Sequence, residues 1–127
     1  MVRQKTAAEA EEASHDRLSI RLDLESGARI GPGKIAVLEE IARSGSLSAA
    51  GRAMGMSYRR IWELVDDLNR SLGAVLVEKT AGGSGGGGAV LTEAGRAVIT
   101  CYHGIEDDAE RAAAPHIARL REALAAG

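Results

Sequence analysis

Gly45-Ser46-Leu47-Ser48-Ala49-Ala50-Gly51-Arg52-Ala53-Met54-Gly55-Met56-Ser57-Tyr58-Arg59-Arg60-Ile61-Trp62-Glu63-Leu64-Val65-Asp66-Asp67-Leu68 carries two helical patterns around a very short break. Ser46 or Ser48 supplies an oxygen for the orphan amides at the start of the first helix. Leu47, Ala50, Ala53 and Met54 then recur on one face at helical spacing. Gly55 stands where a helix C-terminus needs a positive φ, which glycine adopts at little steric cost. Met56 plugs the turn, and Ser57 is placed to cap the second helix. The small residues Ala49, Ala50 and Gly51 allow the two helices to cross closely. This pattern predicts a helix-turn-helix, a unit whose second helix normally enters the DNA major groove.

The second helix is expected to run from Tyr58 to Leu72, with Ile61, Leu64, Val65, Leu68 and Leu72 on its core face. Tyr58, Arg59, Trp62 and Glu63 project elsewhere, and Arg60 lies at the edge. Arginine can bond guanine O6 and N7 bidentately, which is worth about 1–3 kcal/mol of discrimination. Glu63 accepts from a cytosine amino group or holds Arg59 or Arg60 in place. Two readings of Trp62 stand side by side: contact with DNA, or packing against the wing or the first helix. Ser46, Ser48 and Ser57, at the ends of the two helices, complete the candidate DNA contacts on this unit.

Gly73 ends the helix, and Val75-Leu76-Val77-Glu78-Lys79 reads as a compact β-branched strand. Thr80-Ala81-Gly82-Gly83-Ser84-Gly85-Gly86-Gly87-Gly88 follows, and Ala89-Val90-Leu91-Thr92 pairs back. A hairpin directly after such a helix is the wing of a winged helix-turn-helix. The glycine run lacks the Gly-Lys-Ser/Thr ending and the following helix of a phosphate loop, which argues against nucleotide binding. It is either a loop tip or a wing whose bare amides approach DNA where a Cβ would interfere. Lys79, Thr80, Gly83, Ser84 and Gly85 are the candidate contacts there.

Upstream, residues 1–16 are polar and rich in Ala and Glu, and are expected to form a mobile tail. Leu18, Ile20, Leu22 and Leu24 alternate with polar residues at a strand period, Ser26-Gly27 signals a turn, and Ala28-Arg29-Ile30 returns as a second strand. Pro32 suits the first turn of a helix, and Ile35, Leu38, Ile41 and Ala42 carry that helix to about Ser44. Downstream, Thr92 caps a last helix on which Ala94, Val98, Cys101, Tyr102, Ile105, Ala109 and Ala112 recur at spacings of three and four. Pro115 is expected to bend or split it, before Ile117, Leu120 and Leu124 resume the pattern. An apolar stripe this long needs a partner, and a second copy of the chain is the economical one. Val98, Cys101, Tyr102, Ile105, Ala109 and Ala112 are the expected dimer contacts.

The expected architecture is mainly α with small β (α+β). Residues 17–92 form the winged helix-turn-helix with an N-terminal β-hairpin, and residues 93–127 form a long C-terminal dimerisation helix. Hydrophobic residues make up 45% of the 127, but aromatics only 2% and Phe is absent, so the core must be aliphatic. No apolar run reaches the ~18–20 residues of a membrane span, and no signal-peptide core is present, so a cytoplasmic location is expected. The net charge of −2 is unevenly distributed. Residues 41–92 carry 6 Lys+Arg against 4 Asp+Glu, whereas residues 1–40 carry 6 against 8 and residues 93–127 carry 4 against 6. The basic excess falls on the segment expected to meet double-stranded DNA.

The run from Ile35 to about Ile105 resembles the N-terminal DNA-binding domain of ModE, the molybdate-responsive branch of the LysR-like winged helix-turn-helix group. The resemblance rests on Ser44-Gly45-Ser46-Leu47-Ser48-Ala49-Ala50, on Gly55-Met56-Ser57-Tyr58 with Trp62, and on the wing from Thr80 to Thr92. It implies a homodimer that binds an operator and controls transcription, often of metal-transport or metalloenzyme genes. Full-length members continue into molybdate-binding domains, and no residues up to Gly127 match that oxyanion site. The expectation is therefore a short, stand-alone regulator without cofactor or molybdate, either constitutive, using a partner as sensor, or answering an unknown effector.

No serine or carboxylate constellation accompanies His15, His103 or His116, so no enzyme is expected. A metal-responsive site drawing on Cys101, His103 and Asp107 is the sharper alternative, although positions 101 and 103 do not share a helix face. The rival from another class is a winged-helix protein-interaction module. Salt dependence separates that rival from a DNA reader, because phosphate contacts release counterions.

Overall fold

A computed structural model describes residues 16–80 and 88–127. The expected tail, apart from Asp16, and the wing candidates Gly83, Ser84 and Gly85 lie outside the described residues. In chain order the elements are β1 (Leu22–Asp23), β2 (Arg29–Ile30), α1 (Pro32–Ser44), α2 (Leu47–Met54), α3 (Tyr58–Leu72), β3 (Val77–Lys79), β4 (Ala89–Leu91) and α4 (Glu93–Ala126).

The helix-turn-helix forms as the local signals require. Ser46 Oγ accepts from the Ala49 amide at 3.0 Å, and Ser57 Oγ accepts from the Arg60 amide at 3.1 Å. Gly55 closes α2 at φ 69°, and the Met56 amide donates back to the Gly51 carbonyl at 2.8 Å. One expected position moves: Ala53 is exposed, and Gly51 takes its place against α3. A Cβ at Gly51 would lie 2.9 Å from the Met56 carbonyl, so the absent side chain lets the turn fold tightly over α2.

One aliphatic core joins all three helices of this unit to the wing. Leu38 and Ile41 of α1, Leu47 and Ala50 of α2, and Ile61, Val65 and Leu68 of α3 bury against Leu76, Val77, Ala89 and Leu91. Each fully buried Leu, Ile or Val of this set contributes about 1.5–3 kcal/mol relative to exposure. A smaller cluster of Ile30, Ile35 and Tyr102, with Leu22 and Val98 against it, attaches the N-terminal hairpin and α4 to α1.

The hairpin is shorter than the alternation from Leu18 predicts. Leu22 pairs with Ile30 and Asp23 with Arg29, and no pairing extends to Ile20. The Ile20 carbonyl accepts instead from the Tyr102 hydroxyl at 2.6 Å, so a side chain of α4 satisfies a backbone group that a longer strand would have paired. Burial pushes the Tyr102 phenol upward, with Glu106 adding to the effect.

Two of the expected dimer contacts already have partners within the single chain. Tyr102 is only 2% exposed within the single chain, and Val98 packs against both clusters. The stripe on α4 is continuous in sequence, but its first turns are occupied by the chain's own α1 and β2. Cys101, read as a dimer contact, is exposed in the single chain. Pro115 does not split α4, which runs unbroken for 34 residues. A proline inside a helix removes one backbone bond and crowds the preceding turn; here it lies in an exposed, alanine-rich stretch where no packed neighbour forces a break.

Two of the contacts between α4 and the rest of the chain are open to test. The first is steric: a Cβ at Gly95 would stand 2.3 Å from the Leu76 carbonyl. Gly95→Ala is expected to destabilise the chain by ~1–3 kcal/mol, the usual range for forcing volume into a packed site, read from denaturant unfolding. The second is electrostatic. His103 reaches Glu106 on its own helix at 2.8 Å and Glu39 of α1 at 3.4 Å. The hydrogen bond to Glu106 is the largest effect and raises the imidazole pKa above its ordinary value; burial, next in size, opposes it, and the hydrogen bond to Glu39 and the charges of both carboxylates add to the rise. A raised native pKa stabilises fully below the unfolded value and loses that stabilisation as pH rises through the native value. The melting temperature of the wild type should therefore fall more than that of His103→Gln between pH 6 and pH 8.5. With 45% of the side chain exposed, solvent screening limits the difference to about 0.2–1 kcal/mol.

Candidate nucleic-acid interface

The N-terminal turns of α3 present a largely polar surface because its aliphatic residues turn inward. Ile61, Val65 and Leu68 are buried, while Tyr58, Arg59, Arg60, Trp62 and Glu63 are exposed. Tyr58 is 55% exposed and Trp62 40% exposed, high values for large aromatic side chains in a chain with so few of them. Arg59 Nε bonds Glu63 Oε1 at 3.1 Å, one turn along the helix. In the chain without DNA, Glu63 thus lies against Arg59, the geometry of the second of the two roles read for it. Among the described residues no carboxylate pairs with Arg60 or Lys79, which leaves both charges available to an anionic partner. Towards the other end of the helix Arg70 is paired with Asp66 at 3.2 Å. The uncompensated positive charge of α3 thus lies at its N-terminal end.

Ser46 and Ser57 both serve as helix caps, and Ser48 is half-buried in the first turn of α2. Capping fixes the angle at which α3 leaves the turn, and so aims the exposed residues that follow. The wing begins beside this surface. Val77 pairs with Leu91, Glu78 with Val90 and Lys79 with Ala89. Beyond the last pair the Thr80 amide donates to the Gly88 carbonyl at 2.8 Å. A Cβ at Gly88 would lie 2.7 Å from Thr80 Oγ1, so a larger residue there would have to displace that hydroxyl. The Ala89 amide donates to the Gly45 carbonyl at 2.9 Å, tying the returning strand to the turn between α1 and α2.

Sequence reasoning missed the residue that binds the wing to α3. Asn69 Oδ1 accepts from the Leu76 amide at 2.8 Å and the Val77 amide at 3.4 Å, and its Nδ2 donates to the Val77 carbonyl at 3.3 Å. One amide side chain thereby satisfies the backbone where the chain turns into β3. Leaving such groups unpaired costs about 1–3 kcal/mol. Nothing in the linear pattern distinguishes Asn69 from any polar residue on an exposed helix face. Thr92 closes the other side, its hydroxyl donating to the Val75 carbonyl at 2.6 Å while its oxygen caps α4 at Gly95. The second Trp62 reading, packing against the wing, also has a specific form: Lys79 Nζ lies 3.8 Å from the centroid of the indole ring.

Among the described residues no group of three His, Cys, Asp or Glu is placed to hold a metal ion. His103 is engaged by two carboxylates, and Cys101 is exposed on the same helix. No helix of the described residues is long and apolar enough to cross a membrane.

Known proteins share this arrangement. The chain is 47% identical over 81 residues to the molybdenum-pterin-binding protein MopB of Rhodobacter capsulatus, covering 64% of this chain and 30% of that protein. It is 42% identical over 71 residues to the DNA-binding transcriptional dual regulator ModE of Escherichia coli K12, covering 56% and 27%. The chain therefore spans less than a third of the length of either relative. Among solved structures, the CbnR DNA-binding domain in complex with DNA superposes with a TM-score of 0.52 at 25% identity, covering 69% of this chain and 95% of that one. Full-length LysG of Corynebacterium glutamicum with bound effector Arg gives 0.51 at 26% identity, covering 73% and 30%. These neighbours carry the winged helix-turn-helix described above. Residues 33–96, from the start of α1 into the first turn of α4, match the bacterial regulatory helix-turn-helix proteins of the lysR family, and the chain belongs to that family.

Proposed function

We propose that this chain is a sequence-specific DNA-binding regulator of transcription that works as a homodimer, with α3 in the major groove and the wing on the flanking backbone. The observation that carries the reading is the exposed N-terminal end of α3. There Tyr58, Arg59 and Arg60 stand clear of the core, and at the adjacent wing base Lys79, which pairs with no carboxylate among the described residues, lies over Trp62. A helix presented in this way offers its first residues to base edges. The similarity to a regulator named ModE, and to a LysR-type domain solved on DNA, supports the same reading. A non-enzymatic role and a cytoplasmic location go with it.

The dimer contacts belong to the part of α4 that the domain does not cover. Cys101, Ile105, Ala109 and Ala112 lie on it, and Leu120 and Leu124 continue it at 57% and 72% exposure. Pairing this stripe between two copies removes apolar surface from water and places two α3 helices on one duplex, doubling the local basic excess.

Binding to the promoter region upstream of the chain's own gene, compared with a scrambled duplex across a salt series, tests the proposal. Specific binding that weakens as salt rises is expected. Arg60→Ala and Arg59→Ala are each expected to lower the preference for the promoter by about 1–3 kcal/mol. Equal affinity for both duplexes, unchanged in the two variants, would replace this proposal with a protein-interaction module.

A further inference from the structure

The pair formed by Trp62 and Lys79 has a consequence for how the wing is held. Helix α3 and strand β3 are tied at two points. Asn69 takes the start of the strand at Leu76 and Val77, and Trp62 takes its end at Lys79. Along α3 these points are about 10 Å apart, two helical turns. Along β3, Val77 and Lys79 are about 7 Å apart and on the same face, because side chains alternate. Val77 points into the core, so Lys79, two residues on, is carried over the edge of α3 and onto the indole. Asn69, the Ala89 amide on Gly45 and Thr92 hold the base of the wing. The contact of Trp62 with Lys79 adds a tie to α3 at the end from which the glycine-rich segment departs.

We infer that Trp62 is a positioning residue: its indole face, acting through the Lys79 ammonium, fixes the angle between the wing and the recognition helix. The inference rests on the DNA-binding reading and narrows it, since Trp62 then reads no base. Ammonium groups are attracted to the electron-rich face of an indole more strongly than to other rings, and phenylalanine retains part of that attraction. Leucine retains bulk and apolarity but none of it.

The test uses the full chain with Trp62→Phe, Trp62→Leu, Lys79→Gln and the double variant Trp62→Leu/Lys79→Gln. In the free protein the Lys79 ε-methylene protons should resonate upfield of their ordinary position, because the ring current of Trp62, the single tryptophan, shields them. The shift should persist in Trp62→Phe and vanish in Trp62→Leu. On the promoter and scrambled duplexes, Trp62→Leu should weaken binding about two- to fivefold, the factor an exposed cation–π contact supports. Both duplexes should be affected alike, Trp62→Phe should restore most of the loss, and the double variant should bind no worse than Lys79→Gln. Unshifted Lys79 protons in the wild type, or losses that multiply in the double variant, overturn the inference. So does a promoter-specific loss in Trp62→Phe, which would make Trp62 a base reader. Failure of the wild type to bind either duplex, with the Lys79 protons still shifted, overturns it through the DNA reading and leaves the contact itself intact.

Discussion

The approach of Gly95 to the Leu76 carbonyl, and of Gly51 to the Met56 carbonyl, expresses the constraint under which this chain folds. Apart from Tyr102, the core has no large flat side chain to span the distance between elements. Backbones instead approach one another closely at glycines, around modest aliphatic side chains. At Gly51 this sets the helix-turn-helix, because the turn folds directly over α2. At Gly95 it seats the first turn of α4 on the strand that enters the wing. Both contacts lie on the path from the core to the exposed end of α3, so the geometry of the candidate interface depends on them.

The same economy governs the polar groups. Side-chain oxygens and amides sit where backbone groups would otherwise be stranded: Ser46 and Ser57 at helix starts, Asn69 at the entry to β3, Thr92 at the exit from β4 and Tyr102 at Ile20. No buried side-chain nitrogen or oxygen among the described residues lacks a partner. The wing is therefore not a loose appendage at its base. It is bound to α3 by Asn69, to the α1–α2 turn by the Ala89 amide, and to α4 by Thr92.

Electrostatics resolve the conflict between an acidic chain and an anionic partner. The net charge of −2 is a property of the whole chain, whereas binding depends on the charge left unpaired at one surface. On α3 two of the three acidic residues are set against basic ones one turn away, Glu63 with Arg59 and Asp66 with Arg70. Asp67, towards the other end from Arg60, is in no such pair among the described residues. Glu40 is likewise drawn below its ordinary pKa by Arg43 and Ser44 on α1. Arg60 and Lys79 remain outside such pairs. Past His103, α4 buries no residue and carries exposed apolar side chains into solvent, and this gives the proposed dimer its surface.

The helices were legible in the sequence because their signals act over a few residues. Caps, glycine stops and the 3.6-residue period decide backbone conformation locally, and α3 begins and ends where Ser57 and Gly73 require. The wing was legible for a similar reason, as β-branched segments flanking a glycine run. The length of β1, the partners of Val98 and Tyr102, the place of Gly51 against α3 and the continuity of α4 through Pro115 were not. Each depends on what lies across from a residue, and periodicity is silent about that. An apolar stripe states that a face is covered, not which neighbour covers it: the chain's own α1 takes Tyr102, while Ile105 is left outside. By itself, then, the sequence determined the elements, their order and the helix-turn-helix that they compose. Only the tertiary structure decided which polar side chains join them, because Asn69 meets Leu76, and Trp62 meets Lys79, across a chain reversal whose geometry no local preference encodes.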